Sequence, residues 1–423
     1  MKVLFINDST SNPNWGDRAA AISLRAMISG VGGNIIASVS EHDLGVSTFF
    51  NESFLPKDSA ENSVRAIIKL FLPPLVLRLR RKLVVNPDVT AANRCIPEKW
   101  ESFEESAKTV LKNAAWQPLL KAIAEADVAV IHGDGAMVDN GIIPRTDLFL
   151  TYLAKTHYGK PVIIVNHTAD FNHPDLLRMA KGVYPLFDDV VFRDQISAER
   201  CGEFCKGRFA ADTAFWFKPA ERELWALVSN RPTYFDVWPD TARFDPSGPY
   251  LCIGGSSKYQ YEKRPFPIRR GYVSLVRHIR SLYKGQIVLT ASDVTDQEMF
   301  RPIARELGLP LVGVTTAVQQ AVDIVGNADA YVGGRWHPGI FALRGGAPVI
   351  PIASKTFKMQ ALAQMAGLPG DTFDVSNLDG EKRRVGRQLL SFMEMGRELR
   401  SSILMRAEEL SENSWDNVAY LGS

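Results

Sequence analysis

Short apolar runs that stop at a glycine or a polar residue and pass straight into a helical pattern recur along this 423-residue chain, and they constrain its fold more than any other feature. The first run, Val3–Asn7, reads as a buried strand. It precedes Gly16–Ser29, where Ala20, Leu24, Met27 and Ile28 fall at helical spacing. Asn34–Ser38 is a second strand. The pattern lapses from about Glu41 to Cys95 into an irregular stretch with Pro, Asn and Ser. It resumes with helical segments at Glu98–Leu111 and Trp116–Glu125, then the strand Val128–His132 and the helix Leu148–Tyr158. The strand Val162–Asn166, the helix Leu176–Val183, the strand Asp189–Phe192 and the helix Gln195–Gly202 complete this set.

Residues 228–249 are rich in Pro, Asp and aromatics without periodicity and read as an interdomain connection. A second set follows, with strands at Tyr250–Gly254, Gln286–Ala291, Leu311–Val314, Ala330–Gly333 and Pro348–Ile352. Its helices are Gly271–Tyr283, Asp296–Leu307, Ala317–Gly326, Pro338–Arg344 and Thr356–Ala366. At this length one hydrophobic core is not expected to suffice. The expected organisation is a first Rossmann-like domain over 1–227, carrying an insertion near 41–95, then the linker 228–249 and a second Rossmann-like domain over 250–380. The remainder, 381–423, holds a helix pattern over Glu381–Leu410 that crosses back toward the first domain. Each α/β set implies a parallel sheet of its own. The fold class is therefore α/β, GT-B-like, with two Rossmann-type domains facing across a cleft.

A net charge of +2 gives no argument for a nucleic-acid partner. Cys95, Cys201, Cys205 and Cys252 form no CxxC pair and have no His at metal spacing, which suits free thiols in a reducing, cytosolic setting. Met1–Ile6 is a short β run, not the core of a signal peptide. The most apolar stretch, Ala66–Leu77, is interrupted by Lys69 and the Pro73–Pro74 pair, so a membrane span is not expected.

Ligands of open α/β sheets bind beyond the carboxyl ends of the strands, so the strand ends are where chemistry is sought. The most informative is Arg335-Trp336-His337, which follows Ala328–Gly334 and opens Pro338–Arg344. A permanently charged guanidinium beside an imidazole at a helix start suits an anionic substrate that must also be protonated. After the first strand comes the loop Asn7–Asp17, in which Gly16 permits a tight turn and Asn14 or Asp17 can cap the helix or bind a hydroxyl or phosphate. Gly133-Asp134-Gly135 lets a ligand approach the backbone, with Asp134 able to accept a proton from a hydroxyl or bind it. His167 and Arg193 also sit at strand ends. Lys258, Lys263, Arg264, Arg269 and Arg270 form a basic cluster able to draw in an anion, and Lys358 can meet a phosphate as a point charge. Each group also has a purely structural reading, as a cap, a turn or an ion pair.

Four segments together resemble the polysaccharide pyruvyl transferase family, in its order. Asn14-Trp-Gly-Asp17 with the following helix resembles its N-x-G-D. Val130–Ala136 resembles its glycine-rich strand end, with Asp134 departing from the usual Gly-Gly-Gly. Phe192-Arg-Asp-Gln-Ile-Ser197 resembles its R-D-x-x-S. Gly334–Leu343, with Gly346–Ile350 and Lys358, resembles its R-x-H motif and the alanine and proline that follow. The resemblance implies a GT-B-like fold, no metal and no cofactor. It further implies transfer of the enolpyruvyl carbons of phosphoenolpyruvate onto two hydroxyls of one sugar, leaving a pyruvate ketal and phosphate. By the same carry-over Arg335 and Arg193 bind the donor, and His337 lies at the reacting carbon.

On this reading His337 is the general acid that protonates the methylene carbon, and Asp134, Asp17 or His167 is the base. Asn14, Gly133, Gly135, His167, Lys358 and Arg264 complete the expected binding set. Competing readings are a GT-B glycosyltransferase with a nucleotide-sugar donor and a non-catalytic carbohydrate-binding protein. Finally, residues 64–85 carry Arg65, Lys69, Arg78, Arg80, Arg81 and Lys82 without an acidic residue. Such a stretch suits either an anionic membrane surface, near a lipid-linked acceptor at its cytoplasmic face, or a helical pair packed on the first domain.

Overall fold

The structure is a computed structural model that describes residues 1–40, 95–229, 241–261 and 266–422. Residues 64–85, Lys263 and Arg264 lie outside the described residues.

Two all-parallel sheets organise the chain. The first takes β1 (Lys2–Asp8), β2 (Asn34–Ser40), β3 (Val128–Met137), β4 (Val162–Ala169), β5 (Asp189–Phe192) and β6 (Arg208–Phe209), in the order β2-β1-β3-β4-β5-β6. The second takes β7 (Tyr250–Ser256), β8 (Gln286–Thr290), β9 (Leu311–Val312), β10 (Tyr331–Gly334) and β11 (Val349–Pro351), in the order β11-β10-β7-β8-β9. Helices cover both faces, which is why the central strands are apolar without alternation and wholly buried. Phe5 registers with Val130, Ile131 with Ile164, and Val332 with both Ile253 and Ile350.

The strand order reverses between β1 and β3 in one sheet and between β7 and β10 in the other. These are the switch points at which the connections diverge and leave a crevice. The helix Trp15–Gly30 follows β1, and the helix Trp336–Arg344 follows β10. Both therefore begin at a crevice.

Elements differ from the sequence reading at their edges. The helix expected from Leu148 starts at Ile142, because Pro144 is accommodated in a first turn, where its missing N–H costs nothing. β6 is only two residues long and leaves no periodic trace in the sequence. The helix Arg222–Val228 runs up to the start of the expected linker. The final helix, Leu378–Asn413, spans 36 residues and bends at Gly396, whose φ of 53° a residue with a side chain rarely adopts. The segment beyond it, Ser414–Gly422, lies against the first sheet. Asn417 there accepts from the Asn166 amide and donates to the Ala211 carbonyl, each at 2.9 Å. All four cysteines are free. Among the described residues no helix is long and apolar enough to cross a membrane.

Candidate active site

Loops from the carboxyl ends of the two sheets meet one another. The turn after β1 leads: the Trp15 amide donates to the Ser292 carbonyl at 3.0 Å, and the Trp15 indole donates to the Val314 carbonyl at 3.2 Å. Arg18 adds hydrogen bonds to the Val314 and Thr316 carbonyls at 3.3 and 2.9 Å. Asn14 caps its helix through the Gly16 amide at 2.8 Å, and its Nδ2 reaches Asp293 at 3.3 Å. Farther along the seam Lys355 pairs with Asp139, and the Arg200 guanidinium lies 4.3 Å from the Phe357 ring centre.

At the centre is Arg193, at the end of β5 and 1% exposed. Its Nε donates to Thr168 Oγ1 at 2.9 Å, and its Nη1 reaches both Asp134 and, at 3.0 Å, Asp212. A Cβ placed on Gly135 would lie 3.4 Å from Nη2, so that glycine borders the guanidinium directly. The Arg193 guanidinium also lies 5.2 Å from the Trp336 ring centre. Burial by itself would drive Asp134 toward its neutral form; Arg193 first, then His337, overcome it and hold the carboxylate well below its usual range. Asp134 adopts φ 42°, a strained conformation of the kind that collects at functional sites.

His337 is 6% exposed and stands in the first turn of its helix. Its Nε2 lies 3.5 Å from Asp212 and 3.9 Å from Asp134 but makes no hydrogen bond of normal geometry. The other side of the ring packs on Gly16, where an added Cβ would stand 1.9 Å from Nδ1. A buried, unpartnered ring nitrogen is therefore aimed at a pair of carboxylates and an arginine.

Arg335 occupies the N-cap position of the same helix without capping it through its side chain. Its Nε and Nη2 grip Asp296 at 2.8–3.2 Å, and Nη2 also reaches Thr295 Oγ1 at 3.2 Å. Burial alone would favour loss of its charge, but Asp296 overrides this and the guanidinium stays ionised. Its Nη1 has no protein partner among the described residues. Lys358 opens the helix Lys358–Met365, an N-terminus without a side-chain cap. It lies in the field of Arg193, Asp134, Arg335 and Asp17 and has no ion-pair partner among the described residues. Part of the side chain reaches solvent, yet desolvation first and then the two arginines bring its ammonium down to about 8.

The structure thus brings together Asp134, Gly135, Arg193, Arg335, His337, Lys358 and Asp17. Three expectations change. His167 points into the fold: its Nδ1 meets the Val191 carbonyl at 2.9 Å and its Nε2 meets the Tyr184 hydroxyl at 3.1 Å. Burial lowers it to about 3, so it is a packed neutral ring and neither base nor substrate ligand. Gly133 serves that packing, since a Cβ there would stand 2.5 Å from the His167 Cβ. Asn14 is occupied as a cap and as a link to the second sheet. Lys258, of the basic cluster, pairs with Asp374 at 3.0 Å. Two residues escaped the sequence reading. Asp212 follows the two-residue β6, whose end no periodicity marks, and Asp296 lies in the first turn of the helix Val294–Leu307, where an acidic residue reads as ordinary dipole chemistry.

A profile of the polysaccharide pyruvyl transferase family matches residues 14–356. The chain belongs to the polysaccharide pyruvyl transferase family. That match spans every residue of the cluster except Lys358. No curated protein matches the chain at a significant level. Among solved structures, UDP-GlcNAc 2-epimerase from Neisseria meningitidis bound to UDP-GlcNAc superposes with a TM-score of 0.56 at 11% identity, over 100% of this chain and 99% of that one. The S. aureus MnaA–UDP co-structure gives 0.53 at 12% identity, over 98% and 93%. Spinosyn rhamnosyltransferase SpnG gives 0.51 at 12% identity, over 100% and 99%. At such low identity these likenesses carry the fold alone, and that fold is GT-B.

Proposed function

We propose that this family member transfers the enolpyruvyl carbons of phosphoenolpyruvate to two hydroxyls of one sugar in a cell-surface polysaccharide or its precursor, releasing phosphate. The observation that carries the reading is Lys358: a cation without a carboxylate partner among the described residues, in the field of Arg193, Arg335 and Asp134, the last of which lies 3.9 Å from the buried and unpartnered Nε2 of His337. Two uncapped helix N-termini, at Trp336 and Lys358, add backbone N–H groups that favour an anion. Lys358 and Nη1 of Arg335 hold the carboxylate and phosphate of the donor.

His337 gives its Nε2 proton to the methylene carbon, which becomes a methyl group and leaves an oxocarbenium-like centre. A sugar hydroxyl adds to that centre and loses its proton. The acceptor of this proton is revised here: Asp134, paired with Arg193, is too weak a base, whereas the imidazole that has just donated is neutral and free. Phosphate then departs with its bonding electrons, stabilised by the cations. The second hydroxyl closes the ketal, and its proton leaves with the phosphate. Asp134 remains to orient a hydroxyl, and Asp17 adds a weaker attraction on Lys358.

The test is incubation of the full chain with phosphoenolpyruvate and a panel of lipid-linked and nucleotide-linked sugars. Phosphate release matched by a product carrying one ketal is the expected result. Binding of nucleotide sugars without binding of phosphoenolpyruvate would replace this reading with a glycosyltransferase.

A further inference from the structure

We propose that Asp212 is the positioning residue of the acid: its carboxylate holds the His337 imidazolium and the Arg193 guanidinium in one arrangement across the seam between the two sheets. The inference rests on His337 acting as the acid in the proposed reaction, and it concerns a residue that does not touch the donor.

The loop after β6 is fixed before it reaches the site. Thr213 donates its amide to Asn166 Oδ1 and its hydroxyl to the Ala20 carbonyl, each at 2.9 Å. Asp212 caps the short turn Thr213–Trp216, its Oδ1 accepting from the Ala214 amide at 2.8 Å. That bond sets the plane of the carboxylate and leaves Oδ2 for the site. Oδ2 accepts from Arg193 Nη1 at 3.0 Å and from the Trp336 indole at 2.9 Å, and it lies 3.5 Å from His337 Nε2. One oxygen of the first sheet thus bonds Trp336 and stands beside His337, two consecutive residues of the second sheet's helix, the bond spanning 124 positions of sequence. The residue is wholly buried. Burial would favour its neutral form, but the attraction of His337 and then Arg193, with the Ala214 amide, keeps it ionised.

Several groups face His337. Asp212 comes from the loop after β6, Asp134 and His132 from β3, and Arg193, which shares Asp212 and Asp134 with the ring, from the end of β5, while the helix after β1 presents the uncharged Gly16. Lys358 lies in the field of Arg193 and Asp134. Asp134 is shared with Arg193 at closer range than with His337 and is partly open to the cleft. Asp212 is the carboxylate nearer to Nε2. At 3.5 Å, without a hydrogen bond to Nε2, it can orient the ring in its protonated form without taking the proton.

The test uses the full chain with histidine labelled at ring carbon, His337 being assigned from the resonance missing in His337→Gln. Asp212→Asn keeps the size and one acceptor oxygen, enough for the Ala214 amide or the Trp336 indole but not both, and removes the charge. Its expected effect is a shift of the His337 titration to lower pH by about one unit, with the alkaline limb of the kcat profile moving the same way. kcat falls roughly tenfold or more, short of the ~10²–10⁴-fold loss expected for removing the acid, while donor KM changes little. Asp212→Glu restores most of the turnover. Trp336→Phe, which frees Oδ2 from one donor, moves the His337 titration the opposite way, and it serves if the Asp212 variants do not fold. An unmoved His337 titration in Asp212→Asn, or in Trp336→Phe, overturns the proposal. Because the titration is read without substrate, a shifted titration in a chain that transfers no pyruvyl group would sink the proposed reaction and leave the positioning intact.

Discussion

Substituting Gly16 by Ala isolates the placement of His337 from every other property of the site. Gly16 lies in the first turn of a helix and its φ is not positive, so Ala suits the backbone and adds helix propensity of about 1 kcal/mol. The new methyl group, however, stands 1.9 Å from His337 Nδ1, 2.2 Å from Cγ and 2.4 Å from Cβ. Carbon atoms rest at about 3.5–4.0 Å. Because Cβ itself is among the crowded atoms, rotation about χ2 gives no relief, and the ring must retreat by at least about 1 Å. Overpacking of this kind costs about 1–3 kcal/mol, which the gain in propensity partly offsets. Stability therefore falls little, while a misplacement of about 1 Å at the reacting group lowers turnover by roughly 10²-fold. The assay is phosphate release at saturating donor and acceptor, alongside a denaturant melt. Gly248→Ala, with open space around its Cβ, is the matched control and should behave as wild type. A Gly16→Ala enzyme with wild-type kcat and an unchanged melt would refute the reasoning, since His337 could then not be both where it is and responsible for proton transfer.

Other outcomes follow from the same geometry. His337→Ala should lower kcat by about 10²–10⁴-fold with an unaltered melt; near-normal turnover would reduce the residue to a structural one. Lys358→Gln should weaken donor binding by roughly 10–10²-fold in calorimetric titration, the loss expected for a charged hydrogen bond. Since the ammonium carries its charge below about 8, wild-type donor affinity should fall as pH rises through that value, and Lys358→Gln should flatten the dependence; a variant that keeps the same pH slope would contradict the assignment. Arg335→Ala should cost about 3–5 kcal/mol of stability, because it strands the buried Asp296, and Arg335→Ala with Asp296→Asn should recover part of that loss in a denaturant titration. Equal stability of the single and double variants would show that the pair is not coupled.

What the sequence determines by itself is local. A strand buried on both faces must be apolar and must end where a glycine or polar residue lets the chain turn, so β1, β3, β5, β7, β8 and β10 are all readable as runs. The same rule brings Asp134, Arg193, Arg335 and His337 forward as strand-end residues, and Lys358 as a helix-start cation. Whether such a residue faces the cleft is decided elsewhere. His167 sits at a strand end as Arg193 does, but Asn166 adopts φ 54°, which breaks the side-chain alternation and accompanies a ring turned inward onto Tyr184. No residue pattern announces that kink. Nor does any pattern bring Asp212 to Trp336, or Asp296 to Arg335. Those pairings depend on strand order and on how the two sheets dock, and both are set by helix packing summed over the whole core. The sequence names the groups that can do chemistry because chemistry is a property of side chains. Only the tertiary structure decides which of them share a proton, because a hydrogen bond tolerates a few tenths of an ångström and a sequence carries no distances.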